Sequence, residues 1–148
     1  MSWKSMMMAT AVAYADPSLD PSQSDQLEVT PFDASAIQNL IQAQISAFKR
    51  DDAVSAYALT SPSIRETFRT PKDFLSMVRR SYPSIYRPKA YELGSYMVTP
   101  SGLGQLIDVL GPEEELVTAL YLLEKQRDGT WRSHGCVILE VTTLADVM

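Results

Sequence analysis

Near Pro88 the spacing of apolar residues changes from helical to alternating, and that single change limits the chain to a few layer arrangements. Before it, Ile37, Leu40, Ile41, Ile45 and Phe48 recur every three or four residues, as do Phe74, Leu75, Val78 and Tyr82. Such stripes predict amphipathic helices that each bury one face. From Ala90 onward the period is two and β-branched residues become frequent, which predicts strands. Helices first and strands afterwards imply an α+β fold in which helices cover one face of a curved antiparallel sheet of about four strands.

The helix starts are written in cap chemistry. Thr30-Pro31-Phe32-Asp33 and Thr70-Pro71-Lys72-Asp73 each place a hydroxyl at the cap, a proline at the first helical position and an aspartate near the exposed amides. Ser61-Pro62 is a shorter version. Between them, Asp51 and Asp52 can cap a short helix over Ala53 to Leu59, whose small side chains allow close approach to a neighbour. Ile64 and Phe68 are expected to face inward, and the helix after Thr70 is expected over Pro71 to Ser81.

Four strands are predicted, Ala90 to Thr99, Gln105 to Leu110, Leu116 to Gln126 and Trp131 to Val141. Asp128-Gly129 joins the last two, because a two-residue hairpin loop needs positive φ at both positions. With that loop, Leu123 faces His134 and Tyr121 faces Cys136. Trp131 then shares a face with Leu120, Leu122, Val137 and Leu139, while His134 and Cys136 share the other. Both faces are apolar at mid-strand, so each needs cover, by helices or by a partner.

At 148 residues the chain predicts one domain, placed at residues 30–143 with a short tail at 144–148. Residues 1–29 comprise a weakly apolar start and a polar leader. There, Ala13-Tyr14-Ala15 has the small-x-small pattern of a signal-peptidase site. A cytoplasmic or stromal location is slightly favoured, with export to a periplasm or lumen if that site is cleaved. The net charge of -5 argues against nucleic acid and against anionic membranes. Cys136 is the only cysteine, which removes an internal disulfide and any multi-cysteine metal cage. No metal and no cofactor is expected.

The string AFKRDDAVSAYALTSPSIRETFRTPKDFLSMV, followed by YPSIYRP and ALYLLEKQRDGTWRSHGC, resembles the DUF4864 family of uncharacterised bacterial and algal proteins over roughly residues 34–141. Arg50-Asp51-Asp52, Ser61-Pro62, Thr70-Pro71, Tyr86-Arg87-Pro88, Asp128-Gly129-Trp131 and Gly135-Cys136 carry the likeness, in order and at matching spacing. The resemblance implies a fold similar to the NTF2-like or cystatin-like cone, with long helices on a bent sheet. It implies no activity. His134 departs from the hydroxyl, amide or aliphatic residue expected before Gly135-Cys136.

Three places could carry function. The first is the basic, tyrosine-rich stretch from Arg79 to Tyr91. Helical phase puts Arg80 in solvent and Arg79 on the flank of the buried stripe, while Pro83 and Pro88 are expected to exclude helix and turn the chain into the sheet. Arg79, Tyr82, Tyr86 and Arg87 are therefore candidates for binding an anion or carboxylated ligand at a pocket rim. The plainer reading is a structural joint, with Arg87 bonded to carbonyls or to Asp51 or Asp52. The second is His134 with Cys136, a weak base and nucleophile pair whose plain reading is a buried inert cysteine beside Tyr121. The third is Asp108, an acid inside the apolar LIDVL, which could act as a base with Tyr121 or Tyr86 donating to an oxyanion. Its plain reading is an ion pair with Lys125 or Arg132 on an outward face.

These features favour a non-catalytic module that binds a small apolar or carboxylated ligand, or a protein partner, with homodimerisation through the sheet. The alternative is a small-molecule enzyme of isomerase or dehydratase type using Asp108 or His134 with a tyrosine.

Overall fold

The computed structural model describes residues 29–143. Among the described residues five helices precede a four-stranded antiparallel sheet of order β1-β2-β3-β4. The helices are α1 (Pro31–Lys49), α2 (Ala53–Ala58), α3 (Pro62–Thr67), α4 (Pro71–Ser81) and α5 (Pro83–Tyr86), and the strands are β1 (Ala90–Thr99), β2 (Gly102–Leu110), β3 (Glu115–Lys125) and β4 (Trp131–Thr143). The expected α+β class and strand number hold. The leader with Ala13-Tyr14-Ala15 lies outside the described residues. No described helix is long and apolar enough to cross a membrane.

The caps work as their residue types require. Thr30 accepts from the Asp33 amide while the Asp33 carboxylate accepts from the Thr30 amide, a complete capping box. Thr70 accepts from the Asp73 amide, and Asp52 from the Ser55 amide. Ser61 stands at a cap position but makes no cap bond. Its hydroxyl is engaged instead with His134 on β4, at 2.7 Å.

Pro83 does not exclude helix. It opens α5 at the first helical position, where its missing N–H is no loss. Pro88 is where helix ends. The single turn of α5 buries Ile85 and Tyr86 under the helical layer.

The α1 stripe packs Ile37, Ile41, Ile45 and Phe48, each at most 2% exposed, onto Ile107, Val109, Val117, Ala119 and Leu123 of the sheet. Burial of each such side chain contributes about 1.5–3 kcal/mol. Ala56 of α2 is fully buried against α1, as its small side chain permits.

Three bulges bend the sheet, one between Leu93 and Tyr96 on β1 and two in the β3–β4 pair. The hairpin also differs from the expected register. Gln126 N–H donates to Thr130 at 2.7 Å and Gly129, with φ of 88°, donates to Gln126, so the connection is a longer turn with glycine in the left-handed position. Lys125 therefore faces Trp131 and Leu123 faces Ser133, one residue off the expected pairing. The offset is absorbed at His134, after which Leu122 faces Gly135 and Tyr121 faces Cys136 as expected. Gly135, with φ of 127°, completes this bulge in a conformation that side chains rarely adopt.

The offset moves Trp131 to the helix side, where it joins the core cluster rather than Leu120 and Leu122. It also separates His134 from Cys136. On the face away from the helices, Leu106 lies opposite Leu120 and Asp108 opposite Thr118, and all four are buried.

Candidate functional site

The stretch that stood out in the sequence forms the corner between α1, α5 and β1. Arg87 donates to Asp51 Oδ1 at 2.6 Å and to the Phe48 carbonyl at the end of α1, and its guanidinium lies 4.2 Å from the centroid of the Tyr86 ring. Tyr86 donates its hydroxyl to the same Asp51 oxygen. Asp51 holds a left-handed φ of 56°, which an aspartate tolerates at the end of a helix. The Tyr86 hydrogen bond and then Arg87 hold the Asp51 carboxyl below its usual range. Burial, followed by the bond to Asp51, pushes the Tyr86 hydroxyl up. Arg79 and Arg80 are both exposed, and the charge of Arg79 is felt at Asp51 and Tyr86. Of the four residues proposed for the rim, Tyr86 and Arg87 meet here around one carboxylate, and their polar atoms are engaged by the protein.

Tyr82 goes elsewhere. Its ring lines a partly open cavity of about 270 Å³ between the helices and the β3–β4 end of the sheet. The apolar wall comes from α1 through Phe48, from α3 and the following turn through Ile64 and Phe68, and from α4 through Phe74, Met77 and Val78. Phe74 is central, with its ring about 6 Å from those of Phe48, Tyr57 and Phe68 (6.2, 5.9 and 6.2 Å for Phe48, Tyr57 and Phe68 respectively). The Tyr57 hydroxyl fixes the segment after α3 by donating to the Phe68 carbonyl at 2.6 Å.

The polar side of the cavity is built on Gln44, Tyr121, Ser133 and Cys136. Gln44 Nε2 donates to the Ala56 carbonyl at 3.0 Å and to Ser133 Oγ at 2.9 Å, while its Oε1 accepts from Tyr121. The Ala56 oxygen can only accept, so the orientation of this amide is forced. Tyr82 donates to the Cys136 carbonyl at 3.0 Å, and Thr60 to the Tyr57 carbonyl at 2.7 Å. Burial drives the Tyr121 hydroxyl well above its usual range and pushes the Cys136 thiol up to about 12. At neutral pH Cys136 is a neutral thiol facing the cavity, without the thiolate a nucleophile needs.

The other candidates lie apart from this cavity. The bulge turns His134 onto Ser61 at 2.7 Å and Ser63 at 3.3 Å, with Glu124 at 3.7 Å, all around Nδ1. It is not part of the cavity wall. Asp108 accepts from Thr118 at 3.2 Å on the opposite face of the sheet from Tyr121. Lys125, expected near Asp108, instead pairs with Asp33 at 3.3 Å, and Asp33 also accepts from Trp131 Nε1 at 3.1 Å. That last bond, ahead of those from Thr30 and Lys125, lowers the Asp33 carboxyl. Among the described residues no three of His, Cys, Asp and Glu are grouped to hold a metal.

Sequence reasoning missed Gln44 and Ser133. Gln44 lies three residues after Ile41 and four after Leu40, within the buried stripe of α1, and an amide there signals an internal polar network. Ser133 carried no such signal, because its face depended on the bulge.

A family model described as a domain of unknown function, DUF4864, matches residues 31–145. No curated protein and no solved structure matches the chain.

Proposed function

The chain belongs to the DUF4864 family, and we propose that it is a non-catalytic module of NTF2-like type that binds a small apolar ligand between its helices and its sheet. The observation that carries this reading is the cavity of about 270 Å³ walled by Phe48, Phe68, Phe74 and Met77, with polar groups confined to one side. An apolar hollow with a few convergent polar atoms is the usual form of a ligand pocket, and this one lies just below the ~300–1,000 Å³ range of drug-sized sites, which suits a small ligand.

An isomerase or dehydratase would need a carboxylate or imidazole within about 3 Å of a substrate atom, beside a donating tyrosine. Asp108 and His134 are both absent from the cavity wall. Tyr82 and Tyr121, which are present, direct their protons at Cys136 and Gln44. This arrangement favours binding over catalysis.

Titration with the neutral, environment-sensitive dye Nile red tests the reading. Saturable one-to-one binding is expected for the wild type, with strong loss in the cavity-filling variant Met77→Trp. Equal binding by both proteins would overturn it.

A second reading rests on β4. Val137 and Leu139 are 44% and 43% exposed on this edge strand, and Val137 lies opposite Leu120 on the face away from the helices, an apolar surface suited to a second copy of the chain. Sedimentation is expected to show a dimer that Val137→Lys weakens. A monomer at high protein concentration would remove this reading.

A further inference from the structure

Within the cavity reading, the hydrogen bonds already made decide what kind of ligand fits. Both Gln44 amide protons are engaged, one by the Ala56 carbonyl and one by Ser133 Oγ. Ser133 is consequently an acceptor toward Gln44, and its own hydroxyl proton must point elsewhere. Ser133 is 4% exposed and lines the cavity. Among the described residues no acceptor takes that proton. The other lining donors of comparable strength are occupied, Tyr121 by Gln44, Tyr82 by the Cys136 carbonyl and Thr60 by the Tyr57 carbonyl. What remains beside Ser133 is the Cys136 thiol, a weak donor.

Among the described residues no cation lines the cavity. Arg87 is held at the corner by Asp51 and Phe48, and Arg65 reaches the Ala58 carbonyl at 2.7 Å on the surface. A carboxylate placed inside would be a buried, unpaired charge, which is strongly unfavourable.

From these contacts we infer that the cavity selects a neutral, mainly hydrocarbon ligand carrying one hydrogen-bond acceptor, such as a ketone, and that Ser133 is the residue that reads the acceptor. The carboxylated ligand considered from sequence is thereby disfavoured. Ser133 acts as a specificity residue, since the apolar wall would hold the hydrocarbon part without it.

The inference rests on the cavity being a binding site, and the test separates the two. Displacement of Nile red is measured with 4-phenyl-2-butanone, butylbenzene and 4-phenylbutanoate, which share a body and differ in the polar group. The ketone is expected to bind about tenfold more tightly than butylbenzene, as one neutral hydrogen bond allows, and the carboxylate most weakly. Ser133→Ala brings the ketone down to the affinity of butylbenzene, whereas Ser133→Thr, which keeps a hydroxyl, retains the preference. The carbonyl stretch of the bound ketone is expected at lower frequency in the wild type than in Ser133→Ala. Ketone and hydrocarbon of equal affinity, a ketone preference that survives Ser133→Ala, or tightest binding of the carboxylate would each overturn the selectivity while leaving the cavity as a site. Failure of all three compounds to displace the dye would remove both.

Discussion

The corner at Asp51, Tyr86 and Arg87 and the cavity side formed by Gln44, Tyr121 and Ser133 use one device, a tyrosine hydroxyl donated to a side-chain oxygen, with opposite chemical outcomes. At the corner the charged groups answer one another. Arg87 and Tyr86 converge on Asp51, a second guanidinium nitrogen binds the end of α1, and the ring stacks under the cation. Among the described residues that line the cavity none carries a formal charge, and the bonds run in one direction, from Tyr121 to Gln44 to Ser133. That direction leaves a donor at its end. Conspicuous charge was thus a sign of structure here, and an inconspicuous serine a sign of unfilled bonding capacity.

The comparison can be sharpened first through pH. Cys136 has its folded pKa raised to about 12 by burial, against about 8.5 in an unfolded chain. Folding therefore favours the protonated thiol. Its contribution is fully present below about pH 8.5 and is lost as pH rises toward 12, with a slope near 1.4 kcal/mol per pH unit. By pH 10 the loss is about 2 kcal/mol relative to pH 8. Urea denaturation of Cys136→Ala should show this part of the alkaline slope removed; an unchanged slope would mean that the thiol meets bulk water in the folded protein.

Arg87→Ala probes the corner and should have a smaller effect. Unfolding free energy is expected to fall by about 1–2 kcal/mol, because the guanidinium is partly in water and its bonds are worth less than fully buried ones. Nile red affinity should stay within about twofold of the wild type. A large loss of dye binding without loss of stability would break the comparison by making the corner part of the site.

Helix positions were legible in the sequence because their signals are local. Thr30 and Thr70 cap the helices they precede, Asp33 completes the box at the first, and the apolar stripe of α1 faces the sheet as its spacing requires. The structural reading of Arg87, a bond to a carbonyl and to Asp51, was likewise available from its residue type and its neighbours. The faces of β4 were not. One residue more in the turn shifts Trp131 to the core, and one bulge at His134 restores the register at Cys136. Each shift reverses which face a side chain takes, so Trp131 and Ser133 could be placed only with the hairpin in hand.

By itself the sequence determined the α+β class, the helix starts and the family, since caps, periodicity and ordered motifs depend on residues close together in the chain. Only the tertiary structure decided which polar groups are engaged. Arg87 is bound to a residue thirty-six positions away, and Ser133 meets Gln44 across eighty-nine. Whether a hydroxyl proton finds an acceptor depends on which distant atoms packing brings within 3 Å of it, and that is set by register and bulge rather than by composition.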